Sequence, residues 1–218
     1  MKKNRKVEIS VSILNMDFSQ LATELKLVEE AGIDSFHMDI MDGNFVDNIS
    51  FGPDIVAAVR RNTQLPLHTH LMITRPEKFA DSFLKAGSDS LTFHLETMNP
   101  EREKLLDRPA MGLSLNPDID IEGIFPFSDR ISQVLIMSVF AGFGGQKFIP
   151  DVLEKIRKIR DFRDKNGKSF RIGVDGGINP ETASLCAAAG ADELIVGSYI
   201  TSSPDPAGAV KSIREAIS

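Results

Sequence analysis

Short apolar runs alternate along this chain with longer stretches in which apolar residues recur every three or four positions. The runs predict β-strands near 7–14, 34–40, 66–72, 89–95, 111–115, 131–138, 170–175 and 193–196. The stretches between them predict helices near 19–31, 53–62, 76–86, 100–106, 120–126, 151–165, 180–189 and 206–217. The helical pattern is clearest at Leu153, Ile156, Ile159 and Phe162, spaced by three. Pro53, Pro76, Pro100 and Pro180 mark helix starts, where a missing backbone N–H costs nothing. One motif recurs. Ala31-Gly32-Ile33-Asp34, Ala86-Gly87-Ser88-Asp89 and Ala189-Gly190-Ala191-Asp192 each close a helical pattern and open an apolar run. A glycine just past a helix supplies the left-handed turn that ends it. Helix running tightly into strand, repeated, implies a parallel sheet. Eight such units predict an α/β fold, a single (β/α)₈ TIM barrel. With no linker or composition break, one domain spans 1–218. Periodicity alone leaves an open doubly wound sheet as the alternative. The fourth and fifth helical patterns are the shortest.

Composition narrows this picture. The 218 residues allow about 27 per unit, near the lower limit for such a barrel. Hydrophobic residues at 42% and charged residues at 26% are ordinary for a globular protein, which excludes disorder and collagen-like repeats. A single cysteine, Cys186, excludes an internal disulfide or a multi-cysteine zinc site. It predicts a reducing, cytoplasmic location. Within the Ala-rich helix Thr182–Ala189, Cys186 reads as a small buried hydrophobe. The basic start Met1-Lys-Lys-Asn-Arg-Lys6 is not followed by a long apolar segment, so no signal peptide is expected. No apolar run approaches the roughly 20 residues that span a bilayer. A net charge of −6 without basic clusters argues against nucleic acid as a partner. It also raises the question of how an acidic chain would hold an acidic substrate.

The candidate chemistry concentrates at strand ends. All four histidines, His37, His68, His70 and His94, fall at the ends of the second, third and fourth predicted strands. Barrels gather functional side chains at the carboxyl ends of their strands. His37 and Asp39 are two apart, as are His68 and His70, so each pair faces one side of its strand. Neighbouring pairs of this kind can converge on one divalent metal. His68 and His94 read better as packed or supporting groups. Asp175 stands between an apolar strand and the turn Gly176-Gly177, where packing explains it poorly. Helix capping does not explain it either, because Asn179 before Pro180 is the better cap. Asp39 and Asp175, across the barrel if the second and seventh strands face each other, could act as base and acid on opposite faces of a substrate. Three glycine-bearing loops follow late strands: Gly142-Phe143-Gly144-Gly145, Gly176-Gly177 and Gly197-Ser198. Their free amides suit a phosphate and answer the charge question without lysine or arginine. Met41, Met72 and Met137 each end a strand, and together they could line a dry pocket.

These residues resemble the ribulose-phosphate 3-epimerase family along nearly the whole chain. The stretches that carry the resemblance are Ser12-Ile-Leu14, His37-Met-Asp-Ile-Met-Asp-Gly43, Asn48-Ile-Ser-Phe-Gly-Pro53, His70-Leu-Met72, Gly142-Phe-Gly-Gly-Gln146 with Phe148-Ile-Pro150, and Val174-Asp-Gly-Gly177. The resemblance implies a TIM barrel of the ribulose-phosphate-binding type that binds one divalent metal ion per subunit through His37, Asp39, His70 and Asp175. The donor set suits Zn, Mn, Fe or Co. It also implies that Asp39 and Asp175 exchange protons at C3 of a ketose phosphate through a metal-stabilised enediolate, and that Ser12 and His70 contact substrate. The Gly142–Gly145, Gly176–Gly177 and Gly197–Ser198 loops would hold it, mainly by its phosphate. A homo-oligomer is implied as well.

The chain departs from the family pattern in loops. Asn44-Phe-Val-Asp47 stands where the family usually has His-Phe-Val-Pro, His68 replaces an acid, and Phe140-Ala141 replaces Asn-Pro or Asp-Pro. Asn15-Met16 replaces Ser-Ala, and the segment between Glu96 and Gly112 is short. Every implied metal ligand survives. The first expectation is therefore the interconversion of D-ribulose 5-phosphate and D-xylulose 5-phosphate, a step of the pentose phosphate pathway. Epimerisation of a six-carbon ketose phosphate such as D-allulose 6-phosphate is the close alternative. A phosphosugar lyase or aldolase, or a catalytically silent phosphosugar-binding barrel, stand further off.

Overall fold

Eight short strands close into a ring in the computed structural model, which describes residues 6–218. Of the basic start Met1–Lys6, only Lys6 lies within them. The strands are β1 (Glu8–Ser12), β2 (Ser35–Met41), β3 (Leu67–Met72), β4 (Ser90–His94), β5 (Met111–Leu115), β6 (Gln133–Met137), β7 (Arg171–Asp175) and β8 (Glu193–Val196). Each pairs in parallel with the next, and β8 returns to β1 through Ile9↔Leu194. The open doubly wound alternative is thereby removed.

Outside the ring lie α1 (Leu21–Glu30), α2 (Pro53–Asn62), α3 (Pro76–Ala86), α4 (Pro100–Glu103), α5 (Val152–Lys165), α6 (Pro180–Ala189), α7 (Ser198–Thr201) and α8 (Pro206–Ala216). Alternate strand residues such as Ile9, Val11, Phe36 and Leu71 join the buried faces of these helices in one large apolar core. Gly87 and Gly190 end α3 and α6 at φ of 110° and 117°, the left-handed conformation expected of the recurring motif.

The structure corrects the sequence reading in three places. The helix expected near 100–106 is a single α-turn, α4, followed by a 3₁₀ turn at Lys104–Asp107. The helix expected near 120–126 is a 3₁₀ segment, Ile121–Phe127, with Pro126 inside it. Proline removes a backbone donor there, while Ile121 and Ile124 still bury their side chains. α7, after β8, was not expected, because four residues carry no readable period.

The barrel interior is polar at its amino end. Glu193 of β8 pairs with His68 at 2.8 Å and also accepts from Gln133 and Ser35. His68 thus sits near the start of β3, away from the carboxyl ends where function was sought. Leu135, Met137, Val139 and Ile195 form a small apolar layer of their own.

Candidate active site

The register of β2 and β3 sets Asp39 opposite His70, and Met41 opposite Met72. The pleat turns His37, Asp39 and Met41 to one side of β2. On the far side of β1 and β8, β7 ends in Asp175. β2 and β7 are thus three places apart in the ring and not diametrically opposed. Their carboxylates consequently meet in one cluster. One ligand atom from each of His37, Asp39, His70 and Asp175 lies within 4.8 Å of all the others, and three of the four residues are buried.

Neighbours hold each acid in place. Ser12 Oγ donates to Asp39 Oδ2 at 2.6 Å, leaving Oδ1 to face the two histidines. His37 Nε2 lies 3.3 Å and His70 Nδ1 3.2 Å from that Oδ1, and both lie 3.9 Å from Asp175 Oδ2. Ser138, just past β6, holds the end of β7, its hydroxyl donating to the Asp175 and Gly176 carbonyls at 2.9 and 2.6 Å. Nothing in the sequence pattern singled out Ser138, whose role depends on strand adjacency.

The electrostatics divide the two carboxylates. Burial raises the Asp175 carboxyl, the Asp39 charge adds to this, and His37 offsets only part, so it stands at about 7. Burial also acts on Asp39, but His37 and His70 outweigh it and hold Asp39 far below the usual carboxylate range. Burial by itself would lower His37, yet Asp39, Asp175 and Glu193 carry it to about 9. His70 falls to about 4, chiefly through burial.

The cluster fits a divalent cation on its own geometry. Neither ring nitrogen of buried His37 has a hydrogen-bond partner among the described residues. Its Nε2 is close to two carboxylates without being aligned on either. Two imidazoles and two carboxylates whose donor atoms converge, with only His70 Nδ1 and Asp39 Oδ1 in hydrogen-bonding geometry among the four, form a borderline N/O ligand set. These four residues are therefore able to hold one metal ion.

Above the cluster opens a cavity of about 420 Å³. Asp39, Asp175 and Ser12 line it, as do Met41, Met72 and Met137. The Gly142–Gly145, Gly176–Gly177 and Gly197–Ser198 loops complete it, bringing together every expected substrate-contacting residue except His70, which is fully buried beneath the cavity. His37 and His70 lie below it, 2% and 0% exposed. At Gly177, with φ +64°, an added Cβ would stand 2.6 Å from the Phe148 backbone nitrogen, so only glycine fits. Lys147 also lines the cavity, the one cationic residue among the described residues that do. The sequence reading looked for phosphate contacts in amides alone and passed over it. His94 reaches His70, and His68 belongs to the Glu193 cluster at the opposite end of the barrel.

Fold and site together define a class: a (β/α)₈-barrel protein with a buried two-histidine, two-carboxylate cluster under a glycine-walled cavity. The particular family follows from comparison with known proteins. The profile of the ribulose-phosphate 3 epimerase family matches residues 8–201. The Bacillus subtilis ribulose-phosphate 3-epimerase is 42% identical over 214 residues, covering 95% of this chain and 98% of the relative. That of Methanocaldococcus jannaschii is also 42% identical, covering 96% and 91%. This chain belongs to the ribulose-phosphate 3-epimerase family, a family of isomerases. Among solved structures, the 3-hexulose-6-phosphate synthase of Salmonella typhimurium superposes with a TM-score of 0.74 over 97% of this chain and 98% of that one. At 19% identity it shares the fold alone.

Proposed function

We propose that this chain interconverts D-ribulose 5-phosphate and D-xylulose 5-phosphate by exchanging the proton at C3, with Asp39 and Asp175 as the acid–base pair. The observation that carries this reading is the convergence of the two carboxylates in one cluster beneath the cavity. Both line that cavity, so one can accept the C3 proton while the other returns one. Each then stands in the state the other needs for the reverse reaction. A divalent cation held by His37, Asp39, His70 and Asp175 supplies Lewis-acid stabilisation of the charge that develops on the ketose oxygens. Ser12 keeps Asp39 oriented, the three methionines exclude water, and the glycine loops with Lys147 receive the phosphate.

Among the departures from the family pattern, Asn44 turns back on its own loop and donates to the Asp42 carbonyl. Phe140 lines the cavity. The five-carbon reading is supported by the 42% identity to ribulose-phosphate 3-epimerases, and relative kcat/KM on the five- and six-carbon ketose phosphates measures it.

Among the described residues no helix is long and apolar enough to cross a membrane. A cytoplasmic location, suggested by the single cysteine, and a homo-oligomeric state complete the proposal; light scattering measures the latter. Incubating metal-loaded protein with D-ribulose 5-phosphate in D₂O should give D-xylulose 5-phosphate labelled at C3. Asp175→Asn should keep the ion but lose about 10²–10⁴-fold in kcat. Cleavage of a carbon–carbon bond, or full turnover by that variant, would overturn the reading.

A further inference from the structure

His70 presents Nδ1 to the ligand cluster, while its Nε2 lies 2.9 Å from His94 Nε2. Two imidazole nitrogens this close need one proton between them, and which ring owns it decides whether His70 Nδ1 carries a hydrogen. Outside the cluster, a chain of contacts bears on the answer. It begins at the backbone N–H of Ala141, in the loop after β6, which donates to Asn116 Oδ1 at 2.9 Å. That contact settles the orientation of the Asn116 amide, so Nδ2 is the group that donates to Glu96 Oε1, at 2.9 Å. The Asn116 backbone N–H donates to the same oxygen at 3.1 Å. An ionised Glu96 only accepts, so His94 Nδ1, 3.1 Å away, must be the donor. With its one ring proton on Nδ1, His94 offers a bare Nε2 and accepts from His70 Nε2. His70 Nδ1, 3.2 Å from Asp39 Oδ1, would then give its lone pair to an ion held in the cluster.

We infer that His94 and Glu96 are positioning residues that fix His70 in its Nε2–H form and orient its Nδ1 lone pair toward the ligand cluster. The inference rests on the reading of that cluster as a metal site. His94 is fully buried, stacked on His70 at 5.0 Å and tilted against Phe45 at 4.6 Å between ring centroids. Its ring plane is thus set by packing as well as by hydrogen bonds. His37 has no comparable support, since its Nδ1 has no hydrogen-bond partner among the described residues. The two histidines of the cluster therefore differ, one held by a relay and one by its strand alone.

The test is metal affinity and tautomer state, with activity secondary. Zn²⁺ titrations with a competing chelator should give a Kd about 10–100-fold weaker for His94→Phe and Glu96→Leu. Glu96→Gln, which keeps an acceptor oxygen, should recover most of the loss. Because neither residue lines the cavity, KM for the ketose phosphate at saturating Zn²⁺ should stay near wild type. Proton–nitrogen correlation spectra of zinc-loaded wild type should show His70 protonated at Nε2 and His94 at Nδ1, which needs no variant to fold. Unchanged Kd in both disruptive variants, or a proton on His70 Nδ1, would overturn the inference while leaving the metal site standing. A wild-type chain that binds no Zn²⁺ overturns the metal reading and this inference with it.

Discussion

Asp175 and His37 show how far a residue's chemistry depends on what faces it. Both are ordinary titratable groups in the sequence. In the cluster they stand at about 7 and about 9, so at neutral pH His37 holds a proton and Asp175 is about half protonated, and a metal ion must displace what they hold. Loading the ion at pH 7 should release roughly one to two protons per site, measured by calorimetry in buffers of different ionisation enthalpy. Affinity should rise with pH up to about 9, where His37 loses its proton unaided, and level off above it. Binding without proton release would show that these two groups are not ligands. At this scale the sequence was informative because the donors sit at fixed offsets: two residues apart on a strand means one face. It could not reveal Ser138 or Lys147, which reach the site through strand adjacency and loop path.

At the scale of elements, the turn after β7 carries both function and stability. Asn179 caps α6 with a reciprocal pair, its side chain accepting from the Thr182 N–H at 3.1 Å while Thr182 Oγ1 accepts from the Asn179 N–H at 2.9 Å. Asn179→Ala should cost about 1 kcal/mol in urea unfolding and leave the chemistry of Asp175 intact. Gly177→Ala is expected to behave differently. It meets the Phe148 backbone at a left-handed φ, so it should destabilise by at least about 1 kcal/mol and also lower kcat/KM, since the loop lines the cavity. Unfolding midpoints alongside kinetics separate the two effects. Strands and strongly periodic helices such as α5 were legible in the sequence, and so was the cap at Asn179. The 3₁₀ segments were not, because a short apolar spacing suits a 3₁₀ turn and an α-helix alike, and Pro126 decided between them.

For the molecule as a whole, the amino end of the barrel should govern acid stability. An unfolded glutamate ionises near 4.5, whereas Glu193 stands at about 2; burial works against this, and the His68 hydrogen bond with the Arg171 charge outweighs it. Between those values the unfolded chain binds the extra proton. The contribution of Glu193 is thus fully present above pH 4.5 and fades as pH falls toward about 2, worth about 3 kcal/mol at most. Glu193→Gln should flatten the pH dependence of urea unfolding across that window, and an unchanged slope would refute the assignment. The sequence by itself determined the eight repeated units, their helix caps, and His37, Asp39 and His70 as ligand candidates, because these follow from local periodicity and short offsets; Asp175 joined them through the family resemblance. Only the tertiary structure decided that Asp175 joins Asp39 across two intervening strands and that His68 belongs to the opposite end from His70. The same holds for the line of donors from Ala141 to His94 ending on a metal ligand. Those are relations between strands, set by ring closure and register, and they have no image in the order of residues along one chain.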